Sequence, residues 1–413
     1  MKLSEELQWR GFWNQTTFTD DKIIDSENFT LYLGTDPSAD SLHVGHLAVY
    51  MMVRHFLERG HKVFLLVGGG TGMIGDMRDT EERNLLPYEE IEHNKQALKS
   101  QVSRIFAGRD FTLVDNADWL AELELLPFLR DIGKNFNMAD LVSREFFKAR
   151  INNGKGLSFA EFTYTLLQGY DFWHLFNQYG VNLQIGGSDQ WGNLLSGVDL
   201  IRKKENAEVY AMTAPLLINK STGRKFGKSE GGAVWLDENK TSVYKFYQFW
   251  LNVDDESAIE YMKIFTMLDR DTIEAIAENH AVNPGARSAQ KVLAREVTDI
   301  VHGSARRESV ERVTEVLFGG GDFKKLSDDD LGALAEEIPC VDAGIDVIEA
   351  LVESGAVGSN GEAKRLLKSG AISLNGEKLA ENKVVNDTSL LKKGKNTFVL
   401  IMEGANNEKN YRF

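Results

Sequence analysis

His43 and His46 stand three residues apart with Gly45 between them. That spacing puts both imidazoles on one turn of a helix start. Backbone N–H groups there favour anions, and two imidazoles add donors at the same place. Gly45 has no Cβ, so a flat ring can lie against the backbone. The stretch Leu31–Leu47 thus suits a nucleotide triphosphate, and a capped helix with two partly buried histidines is the alternative. Far downstream, Lys220-Ser-Thr-Gly-Arg224-Lys225-Phe-Gly-Lys228-Ser229 masses four cations among glycines and hydroxyls, a basic loop suited to phosphates or to solvent. Tyr164, Gln168 and Asp171 share one face of an apolar, aromatic helix, which suggests a lined pocket. Gly186-Gly-Ser-Asp189-Gln190 follows an apolar run, and strand C-termini of open α/β sheets take ligands.

The elements that must position these residues follow from periodicity. A strand at 29–33, a helix from His46 to Gly60 and a buried strand at 63–67 make a βαβ unit. Further elements are a helix at 91–107, a strand at 111–114, a largely helical stretch at 123–148, the pocket helix at 159–179, and strands at 181–185 and 209–212. The predicted fold class is α/β: a Rossmann-like parallel-sheet domain over 1–235 with a helical insertion at about 115–165. An all-α domain follows over 236–320, then a linker over 321–342 and a small α+β domain over 343–413. The last contains helices at 347–355 and 361–368, an Asn375-Gly376 hairpin and a closing strand at 398–402.

The 413 residues exceed one ordinary core. Composition is that of a soluble globular protein, and no apolar run of about 18 residues could span a membrane. The charged, amphipathic start Met1–Leu7 is not expected to act as a signal peptide. A single cysteine, Cys340, forbids a disulfide framework or thiolate metal cluster. A cytoplasmic location is expected. The net charge of −15 argues against nucleic-acid binding by the whole surface. From Gly361 onward, however, ten Lys/Arg face six Asp/Glu, a local reversal that suits RNA phosphates. Lys364, Arg365, Lys368 and Lys378 are the candidates.

These pieces together resemble the class I aminoacyl-tRNA synthetases, with His43-Val-Gly-His46 and Lys225-Phe-Gly-Lys228-Ser229 in the places of their two motifs. The bacterial tyrosyl-tRNA synthetase family is closer still. Tyr32-x-Gly34-x-Asp36-Pro37-x-Ala39-Asp40-Ser41-Leu42, Gly72-x-x-Gly75-Asp76, Tyr164-x-x-x-Gln168-x-x-Asp171 and Gln184-Ile-Gly-Gly-Ser-Asp189-Gln190-Trp-Gly-Asn193 look like its pattern. The tail looks like an S4-type RNA-binding domain. The resemblance implies Tyr32 and Asp171 at a tyrosine phenol, Tyr164, Gln168 and Asp76 at its ammonium group, and Gln190 near its carboxylate. It implies ATP along Gly34, Asp36, Ser38, Gly45, Gly187, Asp189 and Lys228, with Mg2+ accompanying the nucleotide and no protein-bound metal. His43, His46, Lys225, Lys228 and Ser229 would be the catalytic groups around the phosphates. Partners implied are tRNA(Tyr) and a second copy of the chain, joined through the apolar insertion. Where many members continue Pro-Ser-Gly-Lys after the Gly-Asp pair, this chain has Met77-Arg78-Asp79-Thr80, so a lysine contact to pyrophosphate is not expected there, and Arg78 and Arg83 are the candidates to replace it.

Three other readings compete. A tryptophan pocket would need an indole N–H partner, and Tyr32 would crowd the larger ring. An RNA-binding protein without activity would not need both motifs and the pocket residues. A nicotinamide oxidoreductase rests only on Gly70-x-Gly72-x-x-Gly75, which a polar stretch follows where a helix and an acidic strand end are needed.

Overall fold

A computed structural model describes residues 1–76, 85–144, 147, 148, 150, 158–218, 226–229 and 232–404, with the backbone alone at 228 and 229. Two compact units result: Met1–Ser242 with Gln248–Val301, and Val243–Tyr247 with His302–Phe413.

The first unit is built on five parallel strands: β1 (Thr30–Thr35), β2 (Lys62–Val67), β3 (Thr112–Asp115), β4 (Leu183–Gly187) and β5 (Tyr210–Ala214). Their order is β3-β2-β1-β4-β5. Parallel strands covered on both faces read as unbroken apolar runs, as β2 does from Val63 to Val67, while β5 is buried throughout but carries Thr213. The order reverses between β1 and β4, where Tyr32 pairs with Gln184. Such a switch point opens a crevice outside the strand ends.

Two helices frame that crevice. Val44–Glu58 buries most of its length, including Leu47, Met51, Met52, Val53 and Phe56. Phe159–Tyr179 begins on a Ser158/Glu161 capping box and ends at Gly180 in the left-handed region. Its limits match those read from the sequence.

The stretch at 123–148 is largely helical as expected, but among the described residues it is divided into Leu125–Asp131, a 3-10 turn at Gly133–Asn135 and Met138–Val142. Gly133 is a poor helix former, and the Asn137 side chain caps a new start by accepting from the Ala139 N–H. Among the described residues, no helix is long and apolar enough to cross a membrane.

The compact units divide the helical stretch differently from the expected segments. Helices Asp255–Phe265 and Arg270–Val282 and most of Ser288–His302 belong to the sheet unit, and Ser304–Thr314 to the second. The 321–342 stretch is not a bare linker. It carries the helix Asp328–Ala335, capped by Ser327, whose Asp330 accepts two hydrogen bonds from Arg312 at 2.8 and 2.9 Å.

In the second unit, Cys340–Asp342 pairs parallel with Thr397–Met402, which continues antiparallel through Ser389–Lys393, Ile372–Leu374 and Glu377–Lys378. Asn375 and Gly376 both adopt positive φ, as the expected Asn-Gly turn requires. Helices Val347–Glu353 and Asn360–Lys368 cover the sheet with Leu351 and Leu367 against Leu391 and Val399. The first and third of these strands lay outside the sequence reading. They are short, and their apolar residues look like loop punctuation until paired.

Candidate active site

A cavity of about 580 Å³ lies at the crevice, bounded by the ends of β1 and β4 and by both framing helices. Tyr32, Asp76, Tyr164, Gln168, Asp171 and Gln190 all line it, as do Gly34, Asp36, Ser38, His43, Gly45, His46, Gly187 and Asp189.

At one end Asp171 is buried. Its carboxylate accepts from Asn116 Nδ2 at 2.9 Å and Trp119 Nε1 at 2.8 Å. Burial pushes its pKa up to about 7, and those two donors oppose the rise. Tyr32 is also buried, and its hydroxyl has no hydrogen-bond partner among the described residues. Burial, then the Asp171 charge, holds that phenol neutral at any ordinary pH. The Oε1 atoms of Gln168 and Gln184 are likewise buried and unpaired in the same wall. Buried polar atoms without partners carry a desolvation cost that a polar ligand relieves. An ionised carboxylate has room for about four hydrogen bonds, so Asp171 retains acceptor capacity.

Two further carboxylates are bridged along the wall. Asp36 accepts from Tyr164 Oη at 2.8 Å and from Thr71 Oγ1 at 2.7 Å. Asp76 accepts from Gln190 Nε2 at 2.8 Å. Asn116 links Asp171 to Asp36 by way of Thr71: it also donates to Thr71 Oγ1 and accepts from the Gly70 N–H. Asn116, Trp119 and Thr71 escaped the sequence reading, and Gln184 was read only as part of the family pattern, with no role. Asn116 follows β3 directly, so its place at a strand C-terminus was the available signal.

At the other end His43 caps the helix Val44–Glu58. Its Nδ1 accepts from the Gly45 N–H at 3.0 Å, and His46 Nδ1 accepts from the His43 N–H at 3.2 Å. A backbone N–H can only donate, so both rings are neutral with the proton on Nε2. The rings stack at 3.8 Å. Burial, then the neighbouring His43, lowers the His46 pKa to about 3. The pair therefore offers neutral donors, not cations. The ring lying against Gly45 is His43's own: a Cβ there would sit 2.8 Å from His43 Cε1.

The second basic motif meets this turn. Gly227 has φ +85°, and a Cβ on it would lie 2.6 Å from Val44 Cγ2. Val44 N–H donates to Val234 O, and Val234 N–H to Gly227 O. The backbone of Lys228 and Ser229 continues from there as a short strand paired with Gly232–Ala233. Lys225, Arg78 and Arg83 lie outside the described residues.

A family model described as tRNA synthetases class I (W and Y) matches residues 25–319. The chain belongs to the class I tRNA synthetases. A second model, described as a tyrosine--tRNA ligase SYY-like C-terminal domain, matches residues 330–411 of this synthetase. Relatives include tyrosine--tRNA ligase 1 of Enterococcus faecalis and tyrosine--tRNA ligase 2 of Bacillus cereus, each 42% identical, with 98% of both chains covered. Among solved structures, a C-terminally truncated mitochondrial tyrosyl-tRNA synthetase from Aspergillus nidulans superposes with a TM-score of 0.70 at 29% identity. That match covers 77% of this chain and 94% of that one.

The dinucleotide fingerprint does not hold in this synthetase. No helix starts within Gly70–Gly75; a 3-10 turn, Thr71–Met73, occupies it. Gly72 is there to let Pro37 approach: a Cβ would meet its Cδ at 2.9 Å. Among the described residues no group of three or more His, Cys, Asp and Glu is arranged to hold a metal ion.

Proposed function

We propose that the protein activates L-tyrosine with ATP, releasing pyrophosphate, and transfers the tyrosine to the terminal adenosine of tRNA(Tyr). The observation that carries this reading is the buried pair of Tyr32 and Asp171 in the wall of the cavity. A phenol that donates to Asp171 and accepts from Tyr32 satisfies both. Phenylalanine would leave them buried and unpaired, the kind of mismatch a polar pocket rejects strongly. Tyr164, Gln168 and Asp76 then face the ammonium group, and Gln190 the carboxylate.

The tyrosine carboxylate is already a nucleophile, so no general base is needed. One of its oxygens attacks the α-phosphorus, and the bond to the pyrophosphate oxygen breaks in line. Negative charge grows on the departing pyrophosphate. Catalysis is then positioning plus donors aimed at that charge. His43 and His46 supply neutral Nε2–H donors, and Lys225, Lys228 and Ser229 complete the set. Gly34, Asp36, Ser38, Gly45, Gly187 and Asp189 line the nucleotide's path, and Mg2+ arrives with ATP as part of the substrate.

The C-terminal domain would take tRNA. Lys364, Arg365 and Lys368 project from the helix Asn360–Lys368, Lys378 lies on the hairpin, and all four are exposed. Lys392 and Lys393, also in the basic tail, bond instead to the carbonyls of Leu317 and Ala356. Leu125, Leu126, Met138 and Phe159, in or beside the insertion, each expose more than half their surface, and a second copy of the chain would cover such side chains. A cytoplasmic location accords with this role.

Tyrosine-dependent ATP–pyrophosphate exchange tests the reading. Exchange with tryptophan or another amino acid and none with tyrosine would refute it. Tight RNA binding without any exchange would favour the inactive RNA-binding protein.

A further inference from the structure

Phe226, the aromatic residue of the second motif, is buried in a box of four rings. Tyr261 lies 4.4 Å away between centroids, Phe249 and Phe265 at 5.5 Å and Trp250 at 5.7 Å. None of those four lines the cavity. They come from the helices Val243–Leu251 and Asp255–Phe265. Next in the chain, Gly227 packs on Val44 at the foot of the His43–His46 turn. The box therefore holds one motif's backbone against the other's.

The same helix is also tied to the other end of Val44–Glu58. Arg10 donates to the carbonyls of Lys263, Thr266 and Leu268, at 2.7, 3.1 and 2.6 Å. Glu6 joins Arg10 to His55 of Val44–Glu58, at 3.1 and 3.4 Å. Hydrogen bonds from His55 and Arg59 hold the Glu6 carboxyl far below its usual range against the effect of burial.

We infer that the ring box of Phe249, Trp250, Tyr261 and Phe265 is a positioning device that sets the register of Phe226–Gly227 on the His43–His46 turn. Through that register it governs the rate of the activation step from helices outside the site. The inference rests on the proposed reaction for its kinetic consequence, but not for its structural one. Misplacement of reacting groups by about 1 Å costs on the order of a hundredfold in rate.

Phe249 is half-buried whereas Trp250, Tyr261 and Phe265 are buried, so Phe249→Ala is the mildest way to remove a ring from the box. The full-length variant is compared with wild type and with Phe249→Tyr, which keeps a ring. Hydrogen exchange reports the Val44 and Val234 amides, and single-turnover adenylate formation reports chemistry. Expected for Phe249→Ala are faster exchange at both amides, a rate about tenfold or more below wild type, and tyrosine affinity within about twofold. Phe249→Tyr restores all three. Wild-type exchange and rate in Phe249→Ala would overturn the inference, as would a rate loss matched by an equal loss of tyrosine affinity. If wild type makes no tyrosyl-adenylate, the proposed reaction fails and the amide exchange alone decides for or against the box.

Discussion

At the end of the cavity proposed for the phenol, Asp171 is held by side chains from elsewhere in the fold. At the end proposed for the nucleotide, His43 and His46 are held by their own backbone. Asp171 depends on Asn116 and Trp119, more than fifty residues away in the chain. The two histidines depend on N–H groups within three residues. The first arrangement builds specificity from a buried, low-dielectric network, where each lost partner is costly. The second builds a donor pair that forms wherever the helix forms, and leaves the long-range work to glycine contacts such as Gly227 on Val44.

The contrast breaks most visibly at Asp171. Asp171→Asn turns an acceptor partly into a donor facing Asn116 and Trp119. A loss of about 3–4 kcal/mol is expected, roughly a hundredfold to a thousandfold in kcat/KM for tyrosine. Steady-state exchange kinetics measure it, and a loss below about tenfold would show the network to be dispensable.

Gly227→Ala attacks the other end. The added Cβ meets Val44 and the backbone sits at φ +85°. Adenylate formation should slow by about a hundredfold with tyrosine binding nearly unchanged. Equilibrium tyrosine binding beside stopped-flow rates separates the two.

Trp119→Phe sharpens the comparison by removing one donor. Accepting the phenol proton requires ionised Asp171, so wild-type tyrosine affinity should rise as pH rises through about 7. Without Trp119 burial is less opposed and the Asp171 pKa climbs further. The midpoint then moves to higher pH, and affinity at pH 7 falls about tenfold. Calorimetric titration from pH 6 to 9 reads both, and a pH-independent wild type would remove Asp171 from the phenol.

The smallest change is expected at His46→Gln. Glutamine retains a neutral N–H donor near the Nε2 position, so the rate should stay within about fivefold of wild type, while His46→Ala loses on the order of a hundredfold. Equal losses in both variants, read by single-turnover kinetics, would mean that a cation or the ring itself is required.

Much of this was legible before folding. The pocket helix could be bounded because Ser158, Glu161 and Gly180 are local signals, acting within one turn. The strand Cys340–Asp342 was not, because a short strand takes its hydrogen bonds from a distant partner, here Leu400–Met402. The basic tail read as one patch, yet Lys392 and Lys393 bond to carbonyls that only packing brings near.

By itself the sequence determined which residues could do the chemistry: two histidines on one turn, a polar stripe at helical spacing, glycines at strand ends. Those are period and composition, and both act over a few residues. The tertiary structure decided their chemical state. Burial pushes the Asp171 carboxyl up to about 7 against the opposing hydrogen bonds from Asn116 and Trp119. The imidazoles are neutral donors because of where two N–H groups point. Phe226 anchors the second motif only because four rings from later helices surround it. Burial and hydrogen-bond direction belong to the fold, and no spacing along the chain encodes them.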